Sequence, residues 1–127
     1  MKQKAAILGS GNIGTDLLVK MLERSEVLEP ALLVGIDADS EGIARAKKRG
    51  VKTTTLGLEG LLTDSAFDDI VVVFDATSAK AHHVAQTALA ARQKTVVDLT
   101  PAAIGPYVVP VANLEDSLGH QNVNMVT

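Results

Sequence analysis

Six residues near the start of the chain, Gly9-Ser10-Gly11-Asn12-Ile13-Gly14, have the types and spacing to hold a pyrophosphate. Glycine at the first position allows a tight turn, at the third it lets the backbone approach a phosphate, and at the sixth it lets a helix pack close to a strand. Backbone N–H groups and the positive end of a helix dipole then face the anion. The pattern is short, and a chain of 127 residues with ten glycines produces near matches by chance. Its meaning depends on its setting, which requires a strand before it, a helix after it and an acidic residue roughly 20 positions on.

All three are present. Lys4-Ala5-Ala6-Ile7-Leu8 is a short apolar run without polar alternation, as expected of a parallel strand buried on both faces. After the turn, Ile13, Leu17, Leu18, Met21 and Leu22 define one apolar stripe at the helical period, and Asp16 and Lys20 form an i,i+4 pair on the opposite face. A second buried run, Leu32 to Ile36, ends in Asp37. Its carboxylate is expected beside the glycine turn, accepting hydrogen bonds from an adenosine ribose. The alternative is that Asp37 caps the following helix. A carboxylate there repels a 2′-phosphate by up to ~4 kcal/mol for unit charges ~4 Å apart near a surface. The next residues, Ala38 and Asp39, supply no arginine to hold one, so the expected cofactor is NAD rather than NADP.

The remaining chain alternates element types without a linker or low-complexity break. A helix from about Ser40 to Lys48 is expected to turn Ile43 and Ala44 inward, with a basic end and a stop at Gly50. Val51 to Thr55 reads as an edge strand, followed by a short helix around Leu58, Leu61 and Leu62. Ile70-Val71-Val72-Val73-Phe74 is the strongest strand signal and ends in Asp75. A turn at Ala76-Thr77-Ser78 leads into a helix from Ala79 to Ala91, with Val84, Ala85, Ala88 and Leu89 as its buried stripe. Thr95-Val96-Val97 ends in Asp98. Three strands therefore finish in aspartate at the sheet edge where open α/β sheets bind ligands. Of the three, only Asp37 is assigned to the ligand. Thr77 and Ser78 join the cofactor-binding candidates from the same edge, Ser78 being also a good helix cap.

The last third holds a proline-rich loop over Leu99 to Tyr107, an extended Val108 to Val111, a helical turn over Asn113 to Leu118 and a sixth strand over Asn122 to Val126. The expected fold is a single α/β domain spanning 1–127, a doubly wound, mostly parallel Rossmann sheet with strand order 3-2-1-4-5-6.

Composition removes other classes. Apolar residues make up 46% and aromatics 2%, so the core must be Val, Leu, Ile and Ala. A net charge of −3 without a basic stripe argues against nucleic acid. No apolar stretch suggests a membrane span, and the start leads into a strand rather than a signal peptide, so the expected compartment is the cytoplasm. The absence of cysteine excludes disulfides and thiol chemistry within the chain. His82 and His83 are adjacent and His120 is isolated, so no metal site is expected. Tyr107 lacks a lysine four residues on, and Gly14 is followed by Thr15 rather than Lys-Ser/Thr, which argues against a short-chain dehydrogenase and a nucleotide triphosphatase.

The runs GSGNIGTDLL, VGIDADSEG, VFDATSAKAH, DLTPAAIGPYVVPVANL and NVNMVT together resemble the acylating acetaldehyde dehydrogenases of aromatic-degradation pathways, over nearly the whole chain. The resemblance implies that the chain is the NAD-binding domain of such an enzyme. In that family a cysteine thiolate attacks an aldehyde, hydride passes to NAD, and coenzyme A accepts the acyl group. It also implies a 4-hydroxy-2-oxoacid aldolase as partner and a second domain for substrate binding and dimerisation. The family's cysteine follows a motif matching Asn124-Met125-Val126-Thr127, so the expectation is that this chain alone contains no catalytic residue and does not catalyse the reaction. Two alternatives remain, a non-enzymatic module with vestigial nucleotide binding and the cofactor domain of another semialdehyde dehydrogenase or reductase.

Overall fold

The computed structural model describes residues 2–99. Beyond Leu99, the expected loop, the extended 108–111, the helical turn of 113–118 and the sixth strand over 122–126 lie outside the described residues. The elements run β1 (Gln3–Leu8), α1 (Asn12–Arg24), β2 (Leu28–Val34), α2 (Glu41–Lys48), β3 (Thr53–Thr54), α3 (Gly57–Thr63), a 3₁₀ turn (Phe67–Asp69), β4 (Ile70–Asp75), α4 (Ala79–Ala90) and β5 (Thr95–Asp98). The five strands form one parallel sheet in the order β3-β2-β1-β4-β5. This is the expected order for every strand the description reaches.

Alternation along the strands explains why helices cover both faces. Ala5 and Ile7 of β1 join Leu33, Val72 and Phe74 on one side, where Leu17, Leu18 and Met21 of α1 and Ile43 and Ala46 of α2 pack. Ala6 and Leu8 join Leu32, Val34 and Val73 on the other, against Leu61 of α3 and Ala85 and Leu89 of α4. A central strand with no solvated face has no use for polar alternation, which is why β1 reads as a plain apolar run.

Several boundaries and faces differ from expectation. β2 begins at Leu28, not Leu32, and ends at Val34, not Ile36. Pro30 is tolerated because β3 pairs only with Leu33 and Val34, which leaves Pro30 without a neighbour on the outer side. Ile13 is 41% exposed and Val84 58% exposed, so neither belongs to its helix's buried stripe. In α2 Ala46 rather than Ala44 turns inward, three positions from Ile43 on the same face. The expected Asp16–Lys20 pair forms at 2.9 Å. α2 stops as expected, with Gly50 at a positive φ of 80°.

β3 is held at the sheet edge partly by Lys52, whose Nζ donates to Asp64 Oδ1 at 2.8 Å beyond the end of α3. Burial pushes the Asp64 carboxyl up. The Lys52 hydrogen bond, the Ala66 N–H and the Lys52 charge outweigh that and hold it below the usual carboxylate value.

Candidate functional site

The glycine turn leaves β1 at its carboxyl end and is fixed from three sides. Gly9 N–H donates to Val34 O of β2 at 2.7 Å, Thr15 Oγ1 donates to Ser10 O at 3.1 Å, and Ser40 Oγ donates to Ser10 Oγ at 3.1 Å. Ser40 also accepts from Ile43 N–H as the cap of α2, so one hydroxyl ties the turn to the second helix. Gly9 has φ 119°, a conformation that side chains disfavour. A Cβ on Gly14 would overlap the Gly9 carbonyl oxygen, so this glycine serves the packing of helix against turn. Gly11 differs from both. It caps α1 with no side-chain hydrogen bond, and a Cβ built on it meets nothing within 4 Å. The N–H groups of the first helical turn, Asn12 to Gly14, have no acceptor within their helix.

A cavity of about 430 Å³ opens along this edge, lined on one side by Gly9, Ser10 and Gly11 and on the other by Thr77 and Ser78. That is within the size range of small-molecule sites, roughly 300–1,000 Å³. Gly35, Ile36 and Leu58 form a further wall, with Ile36 86% exposed at its lip. Asn12, Ile13, Gly14 and Asp37 do not line it. Asn12 instead borders a smaller polar cleft of about 110 Å³ between α1 and α2. Asp37 is exposed just beyond Ile36, where its Oδ1 accepts from Asp39 N–H at 2.9 Å. It does not cap α2, a role that Ser40 fills.

At the turn after β4, Ser78 Oγ accepts from Ala81 N–H and caps α4, as expected. Thr77 is placed by Asp75. That carboxylate has 0% exposure, and its Oδ1 accepts from Thr77 N–H at 2.9 Å and from Thr77 Oγ1. Its Oδ2 lies 2.7 Å from His82 Nδ1. Because a carboxylate only accepts, Nδ1 carries the proton and donates. His82 Nε2 stands 3.3 Å from Asp98 Oδ2 on the neighbouring strand. Burying a carboxylate costs several kcal/mol unless its oxygens are paired, and among the described residues no buried side-chain N or O lacks a partner.

A family model described as semialdehyde dehydrogenase, NAD-binding domain, matches residues 4–120. The chain belongs to this family. It is 60% identical over 126 residues to acetaldehyde dehydrogenase 1 of Parafrankia sp. (strain EAN1pec), covering 99% of this chain and 39% of that protein. To an acetaldehyde dehydrogenase of Pseudomonas sp. (strain CF600) it is 58% identical over 129 residues, covering 99% of this chain and 41% of the relative. This semialdehyde dehydrogenase NAD-binding domain thus spans about two fifths of those relatives' length. Its fold is similar to an NAD-binding protein from Listeria innocua, with TM-score 0.62 and 23% identity over 77% of this chain and 27% of that one. GenD2 from gentamicin A biosynthesis, in complex with NAD, gives TM-score 0.62 and 23% identity over 76% of this chain and 26% of that one.

Within the NAD-binding domain, the structure brings Gly9, Ser10, Gly11, Thr77 and Ser78 to one cavity. It sets Asn12, Ile13 and Gly14 in the first turn of α1 behind it, with Asp37 outside the lining. Reading the sequence missed the Asp75–His82–Asp98 cluster. From the sequence His82 takes an ordinary helix position, whereas the structure sets it between Asp75 and Asp98. The usable signal was the pair of aspartates ending adjacent strands with a histidine one turn into the helix between them.

Proposed function

We propose that this domain holds NAD(H) across the carboxyl edge of the sheet, with the Gly9–Gly14 amides on the pyrophosphate, Asp37 on the adenosine ribose, and Thr77 and Ser78 on the other half of the dinucleotide. Within its whole protein it serves an acylating acetaldehyde dehydrogenase. There an aldehyde and coenzyme A yield acyl-CoA while hydride passes to NAD. The sequence holds no cysteine, so on this reading the thiol comes from residues outside this chain, and the family resemblance assigns substrate binding to a second domain. The reading extends to a 4-hydroxy-2-oxoacid aldolase as partner, resting on the family resemblance, and to the cytoplasm as compartment, resting on the apolar patterning of the sequence and its charged start. The cofactor domain proper is taken to span residues 1–127.

The observation that carries the cofactor reading is Gly11. Its backbone lies at the rim of the cavity, no side chain caps the helix there, and the space in front of it is open. A Leu at this position is therefore accommodated by the fold while filling the approach of a phosphate. Titrating the chain and its Gly11→Leu variant with NADH tests the reading. Binding by the parent chain and its loss in the variant, with the cooperative thermal melt preserved, is the expected outcome. Equal binding by both, or none by either, overturns it.

A further inference from the structure

Thr77 lines the cavity, and its hydroxyl has one hydrogen to give. Asp75 Oδ1 takes it, the Ser78 carbonyl at 3.4 Å being the weaker alternative. With that hydrogen committed, Thr77 Oγ1 offers a ligand only lone pairs. What keeps Asp75 in this role is its other oxygen, which is paired with His82 Nδ1 at 2.7 Å in a place without solvent. The far nitrogen of His82 stands 3.3 Å from Asp98 Oδ2 on β5.

We propose that His82 is a positioning residue for the cofactor cavity. By donating to Asp75 it keeps that group an acceptor aimed at Thr77, and so makes the Thr77 hydroxyl an acceptor for an O–H or amide N–H of the bound dinucleotide. His82 touches neither the cavity nor its ligand and acts through Asp75 and Thr77. Without it, the buried Asp75 Oδ2 loses its partner, and nothing fixes the carboxylate with Oδ1 on Thr77. The carboxylate then turns to seek another donor, its hold on the Thr77 hydroxyl is lost, and the Thr77 hydrogen swings toward the cavity, exchanging an acceptor for a donor. The proposal rests on the reading that this cavity takes NAD(H).

The test is a double-mutant cycle on the whole chain, read by NADH titration. His82→Leu and Thr77→Val each weaken binding about fivefold, the scale of one net hydrogen bond. The double variant is no weaker than either, because both remove the same interaction. His82→Asn, whose amide N–H can stand near the place of Nδ1–H, recovers most of the affinity lost with Leu. Should Leu abolish the cooperative melt, His82→Gln takes its place, since its amide reaches toward Nε2 instead, and it weakens binding as Thr77→Val does. Parent-like binding by His82→Leu overturns the proposal while leaving the cofactor reading intact, and so do losses that add in the double variant. Absence of NADH binding by the parent chain overturns both.

Discussion

Two glycines three residues apart in one motif do opposite work. Gly14 is needed by the fold, because a Cβ there would overlap the Gly9 carbonyl, whereas Gly11 faces open space, and on the proposed reading it is the bound phosphate that needs it bare. The pattern was legible because both needs select the same residue type, but only the structure separates them. Asp37 is a similar case. Its carboxylate is engaged by Asp39 N–H on one oxygen and is exposed, one residue beyond Ile36 of the cavity wall. Asp37→Asn keeps an oxygen for that N–H while removing the charge. We expect the preference for NADH over NADPH to fall by about tenfold, an exposed charge being worth far less than the ~4 kcal/mol upper figure. Paired titrations check it, and an unchanged ratio removes Asp37 from cofactor selection. His82 was harder to read, since its partners come from the ends of two different strands, and only the two strand-final aspartates around a helix with a histidine one turn in point to that meeting.

Among the described elements, existence and type followed from periodicity, and the errors sit at faces and ends. Ile13 and Val84 satisfy the helical period but lie at the edges of their stripes, where the sheet no longer covers them. β2 reaches back through Pro30 because its early residues have β1 alone as neighbour. The short β3 depends on contacts that sequence does not display, notably Lys52 with Asp64. The Asp64 carboxyl is lowered in the folded state. Its contribution is therefore fully present above the unfolded carboxyl's value of about 3.9 and is lost as pH falls through the lower folded one. Lys52→Met should cost no more than about 1 kcal/mol near neutral pH, given the half-exposed lysine, and should narrow the stability difference in acid. Urea melts across that range check this, and a difference that widens toward low pH contradicts it.

At the scale of the molecule, the parallel order β3-β2-β1-β4-β5 brings the ends of β1, β2 and β4 together at one edge. The glycine turn, Gly35 and Thr77 therefore meet there although they are distant in sequence. Two apolar layers, one on each face, pack the sheet that carries that edge. The order could be inferred because a glycine turn after the first strand and right-handed crossovers leave few alternatives. The central claim is that the turn's amides hold the cofactor's pyrophosphate. Its most direct test is an amide-resolved NMR titration of the chain with NADH. The account expects the largest shifts at Gly9, Ser10, Gly11, Asn12, Ile13 and Gly14, with Thr77 and Ser78 following at the same NADH concentration. Binding that leaves those turn amides unmoved, or the absence of any shift at saturating NADH, would contradict it.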